Sequence, residues 1–457
     1  MSDTDRRLRV AWVSPLPPQR SGIADYSAEL LPHLARSLDL ELYVEPGVVA
    51  EGVAGLAARP LSELPARLRR GEIDLAVYHL GNNQDYHAQT YRTLLAHPGV
   101  VVLHETMLHH LVRGLTLDRG DRAAYLEEHR YAAGRTGWVT AQRSLDSGLP
   151  FDHWSYPLFE RVVDRSLGVL VHNEHARRRV LDSRPRARVG KVPMPVDVSA
   201  LPSASREEAR RRLGVPAEAF VVASFGFITP AKRLPVSLRA FARLRRRRPD
   251  ALYLLVGEVS PHYDLGRWLE GETGQGVRLL GRVPMEELLT AMIATDVAVN
   301  LRHPAGGETS ATLMRLLALG VPTVVTDAGS FQEVPPGACA PVPLDDAEED
   351  LLTAYLEALA ASPELRRLMG GQARRWIEHE HGFGHAVRAY VPFLEQARSW
   401  PPPAPPVPPL APYPPEDVGT ELVARAAAAA CDLGVGEDDD EALQAVAEAV
   451  AGLGIPV

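Results

Sequence analysis

Short apolar runs alternate with longer stretches of helical periodicity along most of the chain. This alternation is typical of α/β proteins with parallel sheets. The first half contains predicted strands at Arg9–Ser14, Leu40–Glu45, Asp74–His79, Val100–His104, Gly168–His172 and near Arg188–Val192. The second half contains predicted strands at Phe220–Phe225, Ala251–Val256, Val277–Leu280, Val297–Leu301, Thr323–Thr326 and Ala340–Val342. Two such sets predict two Rossmann-like parallel-sheet domains.

A polar segment around Asp197 separates the two sets of strands and predicts a boundary between residues 1–197 and residues 198–382. Helical patterns close the second domain, and the last of them covers residues 383–400. Residues 401–415 contain ten prolines, which exclude a helix or sheet and predict a stiff, extended linker. The alanine-rich residues 416–457 predict a small helical tail.

Composition narrows the class of protein. The 457 residues carry 58 acidic and 49 basic side chains, and a net charge of −9 does not favour a nucleic-acid partner. The cysteines, Cys339 and Cys431, form neither a disulfide framework nor a zinc-binding spacing. The first residues lack a signal-peptide pattern, and no stretch approaches the roughly 20 apolar residues that cross a bilayer. We therefore expect a cytoplasmic protein.

A glycine turn that carries a carboxylate opens a helix in the second half. The segment is Gly306-Gly307-Glu308-Thr309-Ser310, and the helix that follows ends at Gly320. Helix N-termini present unpaired N–H groups and a partial positive charge, so the residues from Thr309 to Ala311 are candidates for holding phosphate. Glu308 lies beside that anion site and can accept hydrogen bonds from sugar hydroxyls. Phosphate and sugar side by side suggest a nucleotide sugar.

A second segment favours the same ligand. The apolar run Val221–Phe225 ends at Gly226, and Pro230 suits the first turn of a helix. Lys232 and Arg233 would then lie in that opening turn, where cations oppose the helix dipole. A bound diphosphate would reverse this cost, and a solvated basic turn is the alternative.

Together these segments resemble the retaining GT-B glycosyltransferases of family 4, also described as glycosyl transferases group 1. The family has a strand ending in glycine, a basic pair, an acidic glycine loop opening a helix, Gly-x-Pro-x-Val, and a small-residue turn ending in glutamate. The corresponding segments here are Phe225-Gly226, Lys232-Arg233, Gly307-Glu308, Gly320-Val-Pro-Thr-Val and Gly329–Glu333. The resemblance covers roughly residues 8–395.

The resemblance implies a GT-B fold: two facing domains, the first binding the acceptor and the second a nucleotide sugar, with the helix at 383–400 crossing back to the first. It implies transfer from a GDP- or UDP-sugar to a hydroxyl acceptor (a glycan, a lipid or a small molecule), with retention and without a metal or other cofactor. The implied catalytic residues are His104, Lys232, Arg233 and Glu308. The implied donor-binding residues are Gly22, Gly226, Gly307, Thr309, Ser310, Ala311 and Arg315.

One residue departs from the family pattern. The family has a second glutamate eight residues after the first, which binds the ribose hydroxyls. Here that count reaches Leu316, and the position set by the distance to Gly320 is Arg315. Arginine cannot accept a hydrogen bond, so the mode of ribose binding stays open.

In the first half, polar residues follow predicted strands at the edge where open α/β sheets bind ligands. His104-Glu105 resembles a family pair near the transferred sugar, with Glu105 as an acceptor-side candidate. Asn82 and Asn83 could bind acceptor hydroxyls, although a turn that needs positive φ explains them equally well.

Other readings are weaker. His172 and His175 are three residues apart, but His172 ends a strand, so we expect no metal site. The arginines at 243–248 suit a helix C-terminus, and contact with an anionic membrane surface is the alternative. A non-catalytic nucleotide-sugar-binding protein and a UDP-sugar 2-epimerase stay open, whereas the absence of Gly-x-Gly-x-x-Gly after the first strand disfavours an NAD-dependent oxidoreductase.

Overall fold

The computed structural model describes residues 6–50, 52–403 and 444. The first domain is built on a seven-stranded sheet with spatial order β3-β2-β1-β4-β5-β6-β7, in which all neighbours are parallel. Its strands are β1 (Arg9–Val13), β2 (Asp39–Val44), β3 (Ala58–Pro60), β4 (Leu75–Leu80), β5 (Val100–Leu103), β6 (Gly168–Val171) and β7 (Val189–Lys191). The strand order reverses between β1 and β4, which is where ligands bind in open α/β sheets.

The helices of the first domain cover both faces of this sheet and follow the strands in chain order. They are α1 (Gly22–Leu34), α2 (Leu64–Arg69), α3 (Gln84–Ala96), α4 (His109–Leu115), α5 (Arg122–Ser147), α6 (Glu160–Asp164) and α7 (Glu174–Ser183). Helix α5 is kinked, because Ala133 and Gly134 leave the helical region and Gly134 has φ 60°.

The second domain is built on a six-stranded parallel sheet with spatial order β10-β9-β8-β11-β12-β13. Its strands are β8 (Val221–Phe225), β9 (Leu252–Val256), β10 (Val277–Gly281), β11 (Val297–Asn300), β12 (Thr323–Thr326) and β13 (Ala340–Val342). Its helices are α8 (Arg206–Arg212), α9 (Leu234–Arg247), α10 (Gly271–Gly274), α11 (Met285–Ala294), α12 (Ala311–Ala318), α13 (Glu348–Ala361) and α14 (Pro363–Glu380). The order again reverses, here between β8 and β11.

Each predicted strand is observed, with ends that agree within one residue. The central strands are buried on both faces, which explains their continuous apolar runs. Strand β3 was not predicted, because Ala58-Arg59-Pro60 is short, polar and half-exposed.

The last described helix, α15 (Phe383–Ala397), packs on the first domain. The hydroxyl groups of Tyr390 and Tyr26 are hydrogen-bonded at 2.8 Å, and both side chains are buried. The Phe393 ring lies so close to Gly190 that a Cβ there would stand 2.7 Å from the ring. Only glycine allows this approach.

The predicted proline-rich linker and helical tail lie outside the described residues, apart from 401–403 and 444. Within the described chain, no helix is long and apolar enough to cross a membrane.

Candidate active site

The loop from Gly306 to Ser310 lies between the two sheets and is held by the first domain. The main-chain N–H of Thr106 donates to the Gly306 carbonyl at 2.7 Å, and the Thr106 hydroxyl donates to the same oxygen at 2.9 Å. The Asn173 amide donates to the Gly307 carbonyl and to the Thr309 hydroxyl, both at 2.9 Å. These contacts place Glu308 where the carboxyl ends of the two sheets face each other.

Gly307 is required in this loop for two reasons. Its φ of 81° lies in the left-handed region, and a Cβ at this position would stand 2.5 Å from the Thr106 hydroxyl oxygen. The glycine predicted as a donor-binding residue therefore also allows the close contact between the domains.

Glu308 is an ionised carboxylate with one unused oxygen. Arg302 binds one of its oxygens, and the other, Oε2, is buried and has no hydrogen-bond partner among the described residues. Burial alone would raise the pKa of Glu308, but Arg302 and main-chain N–H groups outweigh it and hold that pKa below the usual value. A buried acceptor without a donor costs free energy, so a ligand hydroxyl that donates to this oxygen would stabilise the site.

Glu105 of the first domain faces Glu308. Its Oε1 accepts the Asn82 N–H at 3.0 Å. Oε2 of Glu105 and Oε2 of Glu308 lie 3.3 Å and 3.2 Å from the position a Cβ would take at Gly306. Burial, together with the charge of Glu308, raises the pKa of Glu105 to about 8. Glu105 is therefore a neutral carboxylic acid at neutral pH.

Lys232 lies at the end of β8 and is only 7% exposed. Its Nζ donates to the Phe225 carbonyl at 2.8 Å and is 3.4 Å from the position of a Cβ on Gly226. Burial, and then the nearby Arg302, holds the pKa of Lys232 well below its usual value. A bound diphosphate would restore the charge of this amine.

Arg233 points elsewhere, although it follows Lys232 directly. The expectation that both residues share the opening turn of one helix is wrong, because Pro230–Lys232 forms a separate 3₁₀ turn and α9 begins after it. Arg233 joins the two elements with φ 52°, and its guanidinium is paired with the buried carboxylate of Glu348 on α13. Its role in diphosphate binding stays a prediction.

The N-terminus of α12 faces the glycine turn after β8. The Ser310 hydroxyl caps the helix by accepting the Leu313 N–H at 3.3 Å, and Ala311 begins the helix. Thr312 lies 3.8 Å from the Cβ position of Gly226. The predicted anion-binding helix N-terminus and the buried lysine are therefore neighbours.

Two predicted donor-binding residues lie where α12 faces α1. Arg315 bonds Glu29 of α1 at 2.6 Å. Gly22 begins α1, directly after its N-cap Ser21, with open space around its Cβ position. Position 315 thus has no carboxylate that could act as the family's ribose-binding glutamate. The ion pair with Arg315 places the carboxylate of Glu29 beside this position.

The opposite face of α12 lines a cavity of about 400 Å³. Leu313 and Met314 point into it, away from the side that carries Thr312 and Arg315. Of the predicted residues only Thr309 and Ser310 line it, at the helix start. The cavity therefore adjoins the polar cluster without containing Lys232 or Glu308.

His104 belongs to a chain of hydrogen-bonded histidines. Its Nε2 is 2.9 Å from Nδ1 of His79, and its Nδ1 is 3.2 Å from Nε2 of His172. Nδ1 of His172 is 3.1 Å from the Val192 carbonyl, which can only accept. This fixes the direction of each hydrogen bond, with His79 donating to His104 and His104 to His172.

The chain consists of neutral rings. Burial lowers the pKa of His172 to about 4 and holds the pKa values of His79 and His104 well below the usual value. Both nitrogens of His104 are used within the protein, so contact with a sugar would require breaking one of these bonds. The predicted catalytic role of His104 stays a prediction.

Asn82 and Asn83 cap helices. The Asn82 amide oxygen accepts the N–H groups of His110 and Leu111 at the start of α4, and that of Asn83 accepts the Asp85 N–H at the start of α3. These bonds give both residues a structural role, and acceptor binding by their amide groups stays a prediction.

Sequence reasoning missed several residues of this cluster. Arg302 follows β11 by two residues, so the rule that ligands bind at strand ends could have found it. Thr106 and Asn173 act through contacts between the domains, which no local pattern reveals. Glu333 was recognised as the end of the family's small-residue turn, but not its contacts: it accepts the N–H groups of Glu174 and His175 at 2.8 Å and 2.7 Å and connects the second domain to the start of α7.

Among the described residues, no group of three or more histidine, cysteine or acidic side chains is arranged to hold a metal ion. His172 is hydrogen-bonded within the histidine chain, and His175 lies at the start of α7.

Two parallel-sheet α/β domains whose strand ends face each other define the GT-B class, and comparison with a solved structure agrees. Sucrose-phosphate synthase from Thermosynechococcus elongatus superposes with a TM-score of 0.63 at 14% identity, over 85% of this chain and 99% of that one. At this identity the likeness concerns the fold.

Sequence comparisons give the family. Residues 205–376 match the model of Glycosyl transferases group 1. A GDP-mannose-dependent monoacylated α-(1-6)-phosphatidylinositol monomannoside mannosyltransferase of Corynebacterium glutamicum is 28% identical over 41% of this chain and 51% of that protein. A D-inositol 3-phosphate glycosyltransferase of Kineococcus radiotolerans is 27% identical over 58% of this chain and 69% of that protein. The match thus spans about half the length of the first relative. The predicted resemblance is confirmed, and residues 205–376 are the part of the chain that matches the family model.

Proposed function

We propose that the protein is a retaining glycosyltransferase that moves a sugar from a GDP- or UDP-sugar to a hydroxyl acceptor. The observation that carries this proposal is the polar cluster at the ends of β8 and β11. A buried lysine, a helix N-terminus and an ionised carboxylate with an unused oxygen lie together there, as a diphosphate and its sugar require. The two relatives described above are named as glycosyltransferases, one of them GDP-mannose-dependent.

In this proposal the second domain holds the donor. Lys232 and the N-terminus of α12 bind the diphosphate and stabilise the charge that develops on it as it leaves. Glu308 accepts hydrogen bonds from the sugar through its unused oxygen, with Arg302 fixing its orientation. The leaving diphosphate accepts the acceptor's proton on the face of departure, so the protein mainly positions the reactants and neutralises charge.

Binding without transfer is a second candidate, favoured by Arg315 in place of a ribose-binding carboxylate.

From the retaining transferase proposed above, we expect an α-linked product from an α-linked donor, formed without a divalent ion. The test is to screen the full chain against UDP- and GDP-sugars by thermal shift, because a ligand stabilises the fold by mass action. Stabilising donors are then incubated with sugar, lipid and inositol acceptors, with and without EDTA, and products are analysed by NMR.

Stabilisation by a nucleotide sugar with no transfer to any acceptor and no donor hydrolysis would favour the binding protein. A β-linked product, or activity lost in EDTA and restored by Mg²⁺ or Mn²⁺, would overturn the mechanism. Lys232→Ala is the matched control, since it should lose stabilisation by both the nucleotide sugar and the free nucleoside diphosphate.

A further inference from the structure

Two carboxyl groups from different domains meet at Gly306. A Cβ at this glycine would stand 3.3 Å from Glu105 Oε2, 3.2 Å from Glu308 Oε2 and 3.1 Å from the Met107 Cβ. Glu105 follows β5 of the first domain, and Glu308 lies in the loop before α12 of the second. Thr106 and Asn173 of the first domain hold the loop that carries Glu308, so the proximity of the two acids depends on contact between the domains.

The basic groups around the pair are shared unequally, because Arg179 and His175 of α7 face Glu308 but are not among the groups that act on Glu105. Arg302 is bound to Glu308 and also faces Glu105. His87 of α3 lies close to Glu105 near Gly81, and His104 precedes it; burial holds the pKa values of both histidines well below the usual value. On the far side of Glu308, Lys232 is buried, and its pKa is lowered by that burial and by Arg302. If both acids were ionised, Glu105 would carry a desolvated negative charge close to that of Glu308, with no ion pair of its own among the described residues.

The hydrogen bonds decide which acid carries the proton. Glu308 is bound to Arg302, whereas Glu105 receives only the Asn82 N–H, on Oε1. The other oxygen of Glu105, Oε2, approaches the same Cβ position at Gly306 as the unused oxygen of Glu308. A protonated Glu105 is a donor, and a carboxylate oxygen has two lone pairs, so Oε2 of Glu308 can accept from Glu105 as well as from a sugar hydroxyl.

We propose that Glu105 acts as a neutral acid that lets the two domains close: it supplies a proton opposite Glu308, so that closure over the donor sugar takes up one proton. Glu105 is then a positioning residue for the transfer, and this role rests on the proposed function. In the open form Glu105 is solvated away from Glu308 and ionises at lower pH. Because the closed form binds more protons, closure weakens as pH rises between the two pKa values.

The first experiment measures closure without any ligand. Small-angle scattering of the full chain should give a radius of gyration that grows from about pH 6 to about pH 8 in the wild type, as the closed fraction falls by up to about tenfold per pH unit. Glu105→Gln keeps a neutral side chain of the same shape, so its radius should not change with pH. Asp85→Asn removes an exposed carboxylate from α3 near the same edge and should keep the wild-type profile.

The second experiment measures donor binding. Affinity for UDP-glucose or GDP-mannose, whichever stabilises the protein, should fall over the same pH range by up to about tenfold per unit in the wild type and less than about twofold in Glu105→Gln. Calorimetry of the wild type in two buffers of different ionisation enthalpy should show uptake of close to one proton near pH 7. This last measurement needs no variant and stands if Glu105→Gln does not fold.

Superimposable pH profiles in the wild type and Glu105→Gln, or donor binding without proton uptake, would overturn the proposal. These failures differ from failure of the proposed function. If no nucleotide sugar binds at any pH, glycosyl transfer is refuted, whereas the pH dependence of the scattering still decides the role of Glu105.

Discussion

The polar edge of the first domain and that of the second differ in how their hydrogen-bonding groups are satisfied. At the ends of β4, β5 and β6, His79, His104 and His172 bond to one another and finally to a main-chain carbonyl. At the ends of β8 and β11, Lys232 is buried against one carbonyl, and Glu308 keeps an unused buried oxygen. Both nitrogens of His104 and His172 are paired, and the first edge leaves Nε2 of His79 without a partner among the described residues. The second edge leaves an ionised carboxylate oxygen without a partner, and a ligand could supply one. Polar residues at strand ends thus indicate a binding site when their charged donors or acceptors have no hydrogen-bond partner within the protein.

Replacing Lys232 should have the largest effect. Lys232→Ala removes the buried cation and should cost about 2–5 kcal/mol of transition-state stabilisation, measured as kcat/KM. The free energy of unfolding should stay within about 1 kcal/mol of wild type, because a buried amine with a depressed pKa contributes little to the unliganded fold. A wild-type kcat/KM in Lys232→Ala would show that Lys232 does not bind the diphosphate.

Arg233→Ala should affect the free energy of unfolding, whereas replacing the neighbouring Lys232 should affect kcat/KM. Arg233→Ala leaves the Glu348 carboxylate buried and unpaired, and we expect a loss of about 2 kcal/mol in the free energy of unfolding, since the arginine is partly exposed. The measurement is urea denaturation, and Arg233→Ala/Glu348→Gln should recover most of the loss. If kcat/KM falls as far as in Lys232→Ala, Arg233 binds the diphosphate despite its pairing.

His79→Phe should have a smaller effect and tests whether the histidine chain of the first edge has a structural role. The change removes one donor and leaves His104 Nε2 unpaired, which should cost about 1–2 kcal/mol of unfolding free energy. Activity per folded molecule should be unchanged, because His79 is fully buried beneath the site. A large loss of kcat without loss of stability would mean that the orientation of His104 matters for transfer.

The fold was predictable because buried parallel strands appear as continuous apolar runs, and β3 escaped because it has no such run. The helix start at Ser310 and the glycines 226 and 307 were recognisable from local patterns, since capping and positive φ are local requirements. The proximity of Glu105 and Glu308 was not predictable, because it depends on how the two domains meet at Gly306. Arg233 shows the same limit, since its partner Glu348 is distant in the sequence and a single left-handed residue redirects its side chain.

The return of α15 to the first domain has a consequence for biosynthesis. Tyr390 and Phe393 complete the packing around Tyr26, Gly168 and Gly190, yet the ribosome makes them only after the whole second domain. A nascent chain that ends before residue 383 therefore lacks the packing of α15 against α1 and β7. Domain-by-domain folding from the N-terminus is incomplete in such a chain. The first domain to be synthesised is thus the last to be finished, because its packing waits for residues 383–397.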